Sequence, residues 1–182
     1  YVPSLYEIVV DETSTRWGYA VPKAESGAPE VVYKHCVADF AATDPCPQTI
    51  VPYMGIVQDR LAIEVLRGCA RGCRFCQAGM IYRPNRERSL STVKAYADAM
   101  LDSTGQDDIL LSSLSSSDYS CIHEIVDYIS DNREADRVKL QVPSLRIDSF
   151  SLDLMARVQD VRRSSLTFAP EAGSQRLRAV IN

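Results

Sequence analysis

AIEVL at residues 62–66 is a short, mainly apolar stretch that predicts a β-strand and opens a regular alternation of strands and helices. Three more stretches of strand length follow it, at residues 109–114, 138–142 and 164–168. The segments between them carry the apolar spacing of amphipathic helices. Four strand–helix units in succession predict an α/β fold, with a parallel sheet and helices outside it.

Local signals place the helices between these strands. Ser89 or Ser91 is expected to cap a helix that ends at Gly105, because serine favours the N-cap and glycine the position just past the C-terminus. Asp118 is expected to cap the next helix, which carries an apolar stripe within residues 122–129. Two further helices are expected at residues 151–158 and from Gly173 onward.

Polar side chains interrupt the predicted strands at every second position. Glu64 lies in the first strand, Lys139 and Gln141 in the third, and Ser165 and Thr167 in the fourth. Strands buried on both faces are continuously apolar, so this alternation predicts that one face of the sheet is polar. A partial barrel that holds polar ligands in its lumen would have such a face. The alternatives are an exposed edge or a small error in the strand assignment.

The first 61 residues differ in character from residues 62–182, and we expect a domain boundary between them. Tyr- and Val-rich runs at residues 5–10, 18–21 and 31–33 predict short β segments joined by loops. The prolines between residues 45 and 52 predict an extended connector. Residues 1–61 are therefore expected to form a β-rich or irregular linker. Because the chain starts with Tyr rather than Met, we expect it to be part of a longer polypeptide.

The composition is that of a globular protein, with 46% hydrophobic and 24% charged residues among 182. A net charge of −4 argues against a protein built around nucleic-acid phosphates. No apolar run approaches the roughly 18 residues that span a membrane. Three of the six cysteines lie within eight positions, a spacing that favours metal binding in a reducing compartment over disulfides. The expected location is the cytoplasm.

The loop after the first strand carries these three cysteines, in the sequence RGCARGCRFC at residues 67–76. The spacing is C-x3-C-x2-C, and Gly68 and Gly72 let the backbone fold around an inorganic cluster. Iron–sulfur cubes usually take four cysteines, so three would leave one iron without a protein ligand. This favours a cluster with a vacant coordination position, where chemistry can occur.

Other interpretations of the cysteines are weaker. Structural zinc takes four Cys or His ligands, which would require recruiting Cys36, Cys46 or Cys121. His35 beside Cys36 could contribute to such a site, although ordinary packing explains that pair better. Disulfides would leave an odd cysteine inside the trio, and an inert buried trio between charged arginines is least favoured.

The C-x3-C-x-Phe-C loop after the first strand resembles the signature of the radical S-adenosylmethionine (radical SAM) enzymes. Residues 67–88, 111–120 and 166–178 read RGCARGCRFCQAGMIYRPNRER, LSSLSSSDYS and LTFAPEAGSQRLR. These segments resemble a subgroup linked to cobalamin-binding domains and related to the methylthiotransferases. The resemblance implies that residues 62–182 are a truncated radical SAM core, the first four of six βα units in a partial barrel.

The resemblance also implies cofactors and a reaction. A 4Fe–4S cluster would be held by Cys69, Cys73 and Cys76, and S-adenosylmethionine (SAM) would chelate the open iron. An electron from a flavodoxin- or ferredoxin-type donor would cleave SAM to a 5′-deoxyadenosyl radical, which abstracts hydrogen from an unidentified substrate. Cobalamin would belong only to a full-length protein. The alternatives are methyl or methylthio transfer to RNA or protein within the same superfamily, and a zinc-stabilised binding module.

Candidate contacts for SAM lie in the loops after the strands, where βα folds place their working groups. Ser113 and Ser115 stand where many relatives have Gly-Gly-Glu, although serines there also cap helices. Arg146 could bind the SAM carboxylate, or pair with Asp148. We expect two further contacts, from Glu171 to the ribose, with helix capping as its alternative, and from Phe75 near the adenine, with a loop anchor as its alternative.

The cysteine loop and the residues after it are rich in arginine. One interpretation is a surface that faces RNA. The other, which the acidic net charge favours, is compensation of an anionic cluster together with ordinary ion pairing. The residues concerned are Arg67, Arg71, Arg74, Arg83, Arg86 and Arg88.

Overall fold

The computed structural model describes residues 2–10, 18–41, 43, 48–146, 151–161, 168 and 170–181. The chain divides into two compact units, Tyr1–Ala38 and Asp39–Asn182. The observed division at residue 38 falls within the segment predicted as a linker. The predicted boundary between residues 61 and 62 stays a prediction.

The first unit contains a two-stranded antiparallel sheet. A 3₁₀ turn at Pro3–Leu5 leads into β1 (Tyr6–Val9), which pairs with β2 (Tyr19–Pro22). The Tyr6 hydroxyl donates a hydrogen bond to the Pro29 carbonyl at 2.8 Å. Two of the three predicted β runs thus form strands. Residues 31–33 do not, and the side chain of Tyr33 in that run is 83% exposed.

The second unit is built on a parallel sheet of three strands in the order β3-β6-β7. They are β3 (Leu61–Glu64), β6 (Asp108–Ser112) and β7 (Lys139–Gln141). The predicted α/β class with a parallel sheet is confirmed. The predicted fourth strand lies mostly outside the described residues, but Phe168 makes a parallel bridge to Leu145. Among the described residues the sheet does not close into a barrel.

The four predicted helices follow the strands in the predicted order, and a short helix in the cysteine loop, α1 (Ala78–Ile81), was not predicted. The predicted helices are α2 (Leu90–Thr104), α3 (Ile122–Asn132), α4 (Leu152–Val161) and α5 (Gln175–Ile181). Ser89 is the N-cap of α2, and its hydroxyl accepts from the Thr92 amide at 3.2 Å. Gly105 ends that helix with φ +68°, which L-residues with a Cβ rarely adopt.

The predicted role of Asp118 as a helix cap is wrong. Asp118 ends a 3₁₀ turn, Ser116–Asp118, and α3 begins at Ile122 without a side-chain cap. The physical reason is that the Asp118 carboxylate binds the guanidinium of Arg71, far away in sequence.

The core lies between one face of the sheet and helices α2, α3 and α4. Along β6 the residues alternate between buried and half-buried, so one face packs against the helices. The other face carries the polar residues predicted from the sequence: Gln141 donates to Asp108 at 2.7 Å, and Lys139 lies 3.4 Å from the same carboxylate. The central buried side chains are Leu61, Ile63, Val93, Ile109, Leu111, Ile125, Val126, Leu140, Leu154 and Val158.

Candidate metal and cofactor site

The loops at the carboxyl ends of the parallel strands meet around one cleft of about 930 Å³. Parallel strands end at the same edge of a sheet, so the loops after β3, β6 and β7 are brought together there. Residues after the Phe168 bridge and from α5 complete the wall. The lining includes Cys69, Arg71, Cys73, Phe75, Cys76, Leu114, Ser115, Ser144, Leu145, Arg146, Pro170, Glu171, Gln175 and Arg178.

The cysteine loop is closed at its base by a short antiparallel pair, β4 (Leu66–Arg67) with β5 (Arg86–Glu87). The chain leaves the core after Leu66 and returns beside it, so the loop projects over the end of the sheet. Gly68 turns the chain at φ +95°, where a Cβ would meet the carbonyl oxygens of Tyr82 and Pro84 at 2.6 and 2.7 Å. Only glycine fits this close approach.

The three loop thiols are half-buried and line the same cleft. The Cys76 sulfur accepts a hydrogen bond from the Gly79 amide at 3.4 Å. In the described part of the chain, no three His, Cys, Asp or Glu side chains come close enough together to hold one metal ion. An iron–sulfur cluster is wider than one ion and takes thiolates that surround it, and this donor set of three cysteines has the chemistry that such a cluster needs.

Two arginines flank the thiols. Arg71 lies between Cys69 and Cys73, and its Nε donates to the Asp118 carboxylate at 2.8 Å. Hydrogen bonds from Arg71 hold the pKa of Asp118 below its usual value, although burial opposes this. Arg146 reaches the cleft from the loop after β7, with Nη1 4.0 Å from the Cys73 sulfur. The thiols therefore face a cationic wall, partly neutralised by Asp118.

The structure brings most of the predicted SAM contacts to this cleft. Ser115 is 3% exposed in the wall, and Arg146 and Glu171 line it from two further loops. Phe75 also lines the cleft, with 59% of its side chain exposed. Ser113 does not line it, and its hydroxyl lies 2.9 Å from that of the buried Ser116. The alternative partner of Arg146, Asp148, lies outside the described residues.

Comparison with known proteins identifies the family. Residues 63–182 match the Radical SAM superfamily, which is more than half of the chain. The chain belongs to the radical SAM superfamily. Members of this superfamily generally bind a 4Fe–4S cluster and SAM, and they cleave SAM with the help of the cluster.

A relative of this radical SAM chain is an uncharacterized protein of Methanocaldococcus jannaschii. The two sequences are 37% identical over 119 residues, which is 65% of this chain and 25% of the relative. The chain therefore spans about a quarter of the length of the curated relative it matches. The predicted superfamily is confirmed.

Helix α5 contributes to the cleft of this radical SAM chain, which was not predicted from the sequence. Gln175 and Arg178 line it, and the C-terminal end of α5 contacts the cysteine loop. There the Arg74 amide donates to the Ile181 carbonyl at 3.0 Å, and Arg74 Nη1 donates to the Val180 carbonyl at 2.6 Å. No local pattern signals these contacts, because they join residues more than 100 positions apart.

Most of the arginines in and after the cysteine loop make hydrogen bonds or ion pairs within the protein. Arg67 Nε donates to the Glu64 carboxylate at 2.8 Å, and this hydrogen bond to Glu64 raises the pKa of Arg67. Arg88 is only 4% exposed, and its guanidinium donates to the carbonyls of Phe40 and Thr43. These contacts favour the interpretation as internal pairing over an RNA-facing surface.

Within the described residues, none of the helices has the length and apolar character needed to cross a membrane.

Proposed function

We propose that this chain binds a 4Fe–4S cluster through Cys69, Cys73 and Cys76, binds SAM beside it, and serves as a core for radical chemistry on a separate substrate. The observation that carries the proposal is that three thiols from one loop line a cleft at the strand ends of a radical SAM domain. When bound, the cluster would supply one electron to cleave SAM to methionine and a 5′-deoxyadenosyl radical for hydrogen abstraction. The reducing partner would be of the flavodoxin or ferredoxin type.

The residues of the cleft have distinct roles in this proposal. The glycine turn at Gly68 and the β4–β5 pair hold the cysteine loop over the sheet end. Ser115 and Glu171 would offer a hydroxyl and a carboxylate to the polar groups of SAM, and Phe75 would cover the adenine. The cleft walls would exclude water from the reacting groups.

The wider assignments belong to the same proposal. We assign the chemistry to residues 62–182, as a partial barrel whose polar face carries Gln141 and Asp108, and residues 1–61 to a linker. The resemblance of residues 67–88 to cobalamin-linked radical SAM proteins supports membership of that subgroup. Cobalamin itself would require a further domain.

Anaerobic purification of the full chain with iron, sulfide and zinc analysis tests this function. We expect a brown protein with about four irons and four sulfides per chain, as a 4Fe–4S cluster requires. Cys73→Ala should lose most of the iron. Cys121→Ala is the matched control, because Cys121 is half-buried against the core and does not line the cleft; it should keep the cluster.

The second part of the test is formation of 5′-deoxyadenosine from SAM with dithionite as reductant. Wild type and Cys121→Ala should both form it, and Cys73→Ala should not. Colourless wild-type protein with stoichiometric zinc would instead support a zinc-stabilised binding module and overturn the proposal.

A further inference from the structure

We propose that Arg146 is a positioning residue that sets the reduction potential of the cluster, by holding its guanidinium against the Cys73 thiolate. This inference rests on the proposed function, because it presupposes a cluster on Cys73. In this role Arg146 interacts with the sulfur of Cys73, whereas the sequence predicted an interaction with the SAM carboxylate.

The backbone around Arg146 is fixed on both sides of the turn that leads into the cleft. Ser144 takes a left-handed conformation at φ +57°, which turns the chain after β7. Leu145 is 6% exposed in the core and forms the parallel bridge to Phe168. With its neighbour anchored in this way, Arg146 projects a half-buried side chain into the cleft.

The sulfur contact is the relevant feature of this side chain. Arg146 Nη1 lies 4.0 Å from the Cys73 sulfur, within reach of a hydrogen bond to sulfur. The carboxylate of the nearby Asp118 accepts hydrogen bonds from both Nε and Nη2 of Arg71. Arg71 makes these hydrogen bonds, and the positive charge of Arg146 also lowers the pKa of Asp118, so the Arg146 guanidinium lies near both this carboxylate and the Cys73 sulfur.

The effect on potential follows from charge. A guanidinium remains protonated at any working pH, so Arg146 is a constant positive charge. Reduction adds one negative charge to the cluster, and a cation near a ligand sulfur stabilises the reduced form more than the oxidised form. Hydrogen bonds to the sulfurs and the net charge around them are known determinants of cluster potentials. The half-buried site strengthens this interaction relative to bulk water.

A redox titration followed by electron paramagnetic resonance tests the inference, on reconstituted full chain without SAM. In Arg146→Gln we expect the ratio of reduced to oxidised cluster at a fixed potential to fall about tenfold, a shift of about 59 mV for one electron. Arg146→Lys keeps the charge but loses the planar fork, so its potential should lie between those of wild type and Arg146→Gln.

Arg178→Gln is the matched control. Arg178 lines the same cleft, but its guanidinium is held by the Ala172 carbonyl at 2.7 Å and the Gln175 side chain at 2.9 Å. Its potential should equal that of wild type. A generic loss of positive charge from the cleft would lower both potentials equally and would overturn the inference.

Two further outcomes separate this inference from the function on which it rests. Iron and sulfide analysis of wild type decides the function before any potential is measured. If every variant binds the cluster and Arg146→Gln titrates like wild type while its affinity for SAM falls, then Arg146 serves the SAM carboxylate and the inference is wrong. If Arg146→Gln loses the cluster, Arg146→Lys decides: a potential equal to that of wild type overturns the inference.

Discussion

The guanidinium of Arg71 and the carboxylate of Asp118 form a two-point ion pair that joins two loops of the cleft. Arg71 Nε lies 2.8 Å from one Asp118 oxygen, and Nη2 contacts the other. Arg71 belongs to the cysteine loop after β3, and Asp118 to the 3₁₀ turn after β6. The side chains are 39% and 17% exposed, so the pair lies at the cleft margin. It joins the cysteine loop to the turn that follows β6.

This ion pair predicts a pH-dependent contribution to stability. Because hydrogen bonds from Arg71 lower the pKa of Asp118 below 3.8, the pair stabilises the fold fully above pH 3.8. The contribution is lost as the pH falls through the lowered pKa of the folded state. Asp118→Asn should cost about 1 kcal/mol at pH 7, since a partly exposed pair is screened by water. Urea unfolding at a series of pH values should show the difference from wild type shrinking below pH 3.8.

Arg71→Gln is the companion variant in a double-mutant cycle. The cost of Asp118→Asn should largely disappear when Arg71 is already replaced. Equal costs in both backgrounds would contradict a direct interaction between the two side chains.

Local sequence patterns predicted the parts of this fold that depend on nearby residues. Ser89 marks the start of α2 and Gly105 marks its end, because both residues act on the backbone within one turn of the helix. Asp118 followed the same local rule and failed, because Arg71 offers its carboxylate a charged partner 47 positions away. Such a partner outcompetes an N-cap, and no local pattern reveals it.

The candidate site shows the same division. The cysteine spacing indicated that the three thiols bind one cluster, and the three thiols do line one cleft. The wall contributed by α5 could not be predicted, because the contact of Arg74 with the Val180 carbonyl depends on how distant segments pack. The approach of Arg146 to Cys73 depends on tertiary structure in the same way.

We expect substitution of Arg88 to cause a large loss of stability. Its Nε donates to the Glu64 carbonyl at 3.0 Å, and Nη1 donates to the Thr43 carbonyl at 2.8 Å. The guanidinium also lies 4.2 Å from the centroid of the Phe40 ring. Arg88→Met should cost about 3 kcal/mol of stability, because the partly buried carbonyls of Glu64 and Thr43 lose the hydrogen bonds that Arg88 donates and the cationic contact with the Phe40 ring is removed. Urea unfolding measures the loss.

The control for Arg88 is Arg176→Met, since Arg176 is exposed and does not line the cleft. Its stability should stay within about 0.5 kcal/mol of wild type. Arg88→Lys should remain well below wild type, because an ammonium cannot reproduce the planar fork. Full recovery by lysine would show that charge alone, and not the hydrogen-bond geometry, matters at this position.

Of the two serines predicted as candidates for the N-cap of α2, Ser89 is the one that caps the helix. Ser89 Oγ accepts from the Thr92 amide at 3.2 Å, whereas Ser91 lies inside the helix and is exposed. Ser89→Ala should cost about 1 kcal/mol of stability through loss of the cap. Ser91→Ala should be neutral or slightly stabilising, since alanine has the higher helix propensity. Thermal unfolding of both variants tests this. A larger loss of stability in Ser91→Ala than in Ser89→Ala would contradict the assignment of Ser89 as the N-cap.

Gly68 gives a test that links backbone geometry to cluster binding. In Gly68→Ala the added Cβ would lie 2.6 Å from the Tyr82 carbonyl oxygen, and the backbone would be held at φ +95°. Both effects oppose the turn that closes the cysteine loop, so we expect the free energy of unfolding to fall by about 2 kcal/mol or more. The displaced loop should also bind less iron after anaerobic reconstitution. Gly55→Ala is the control, because a Cβ there meets nothing within 4 Å, and it should keep both stability and iron. Wild-type iron content in Gly68→Ala would show that the thiols reach the cluster without this turn.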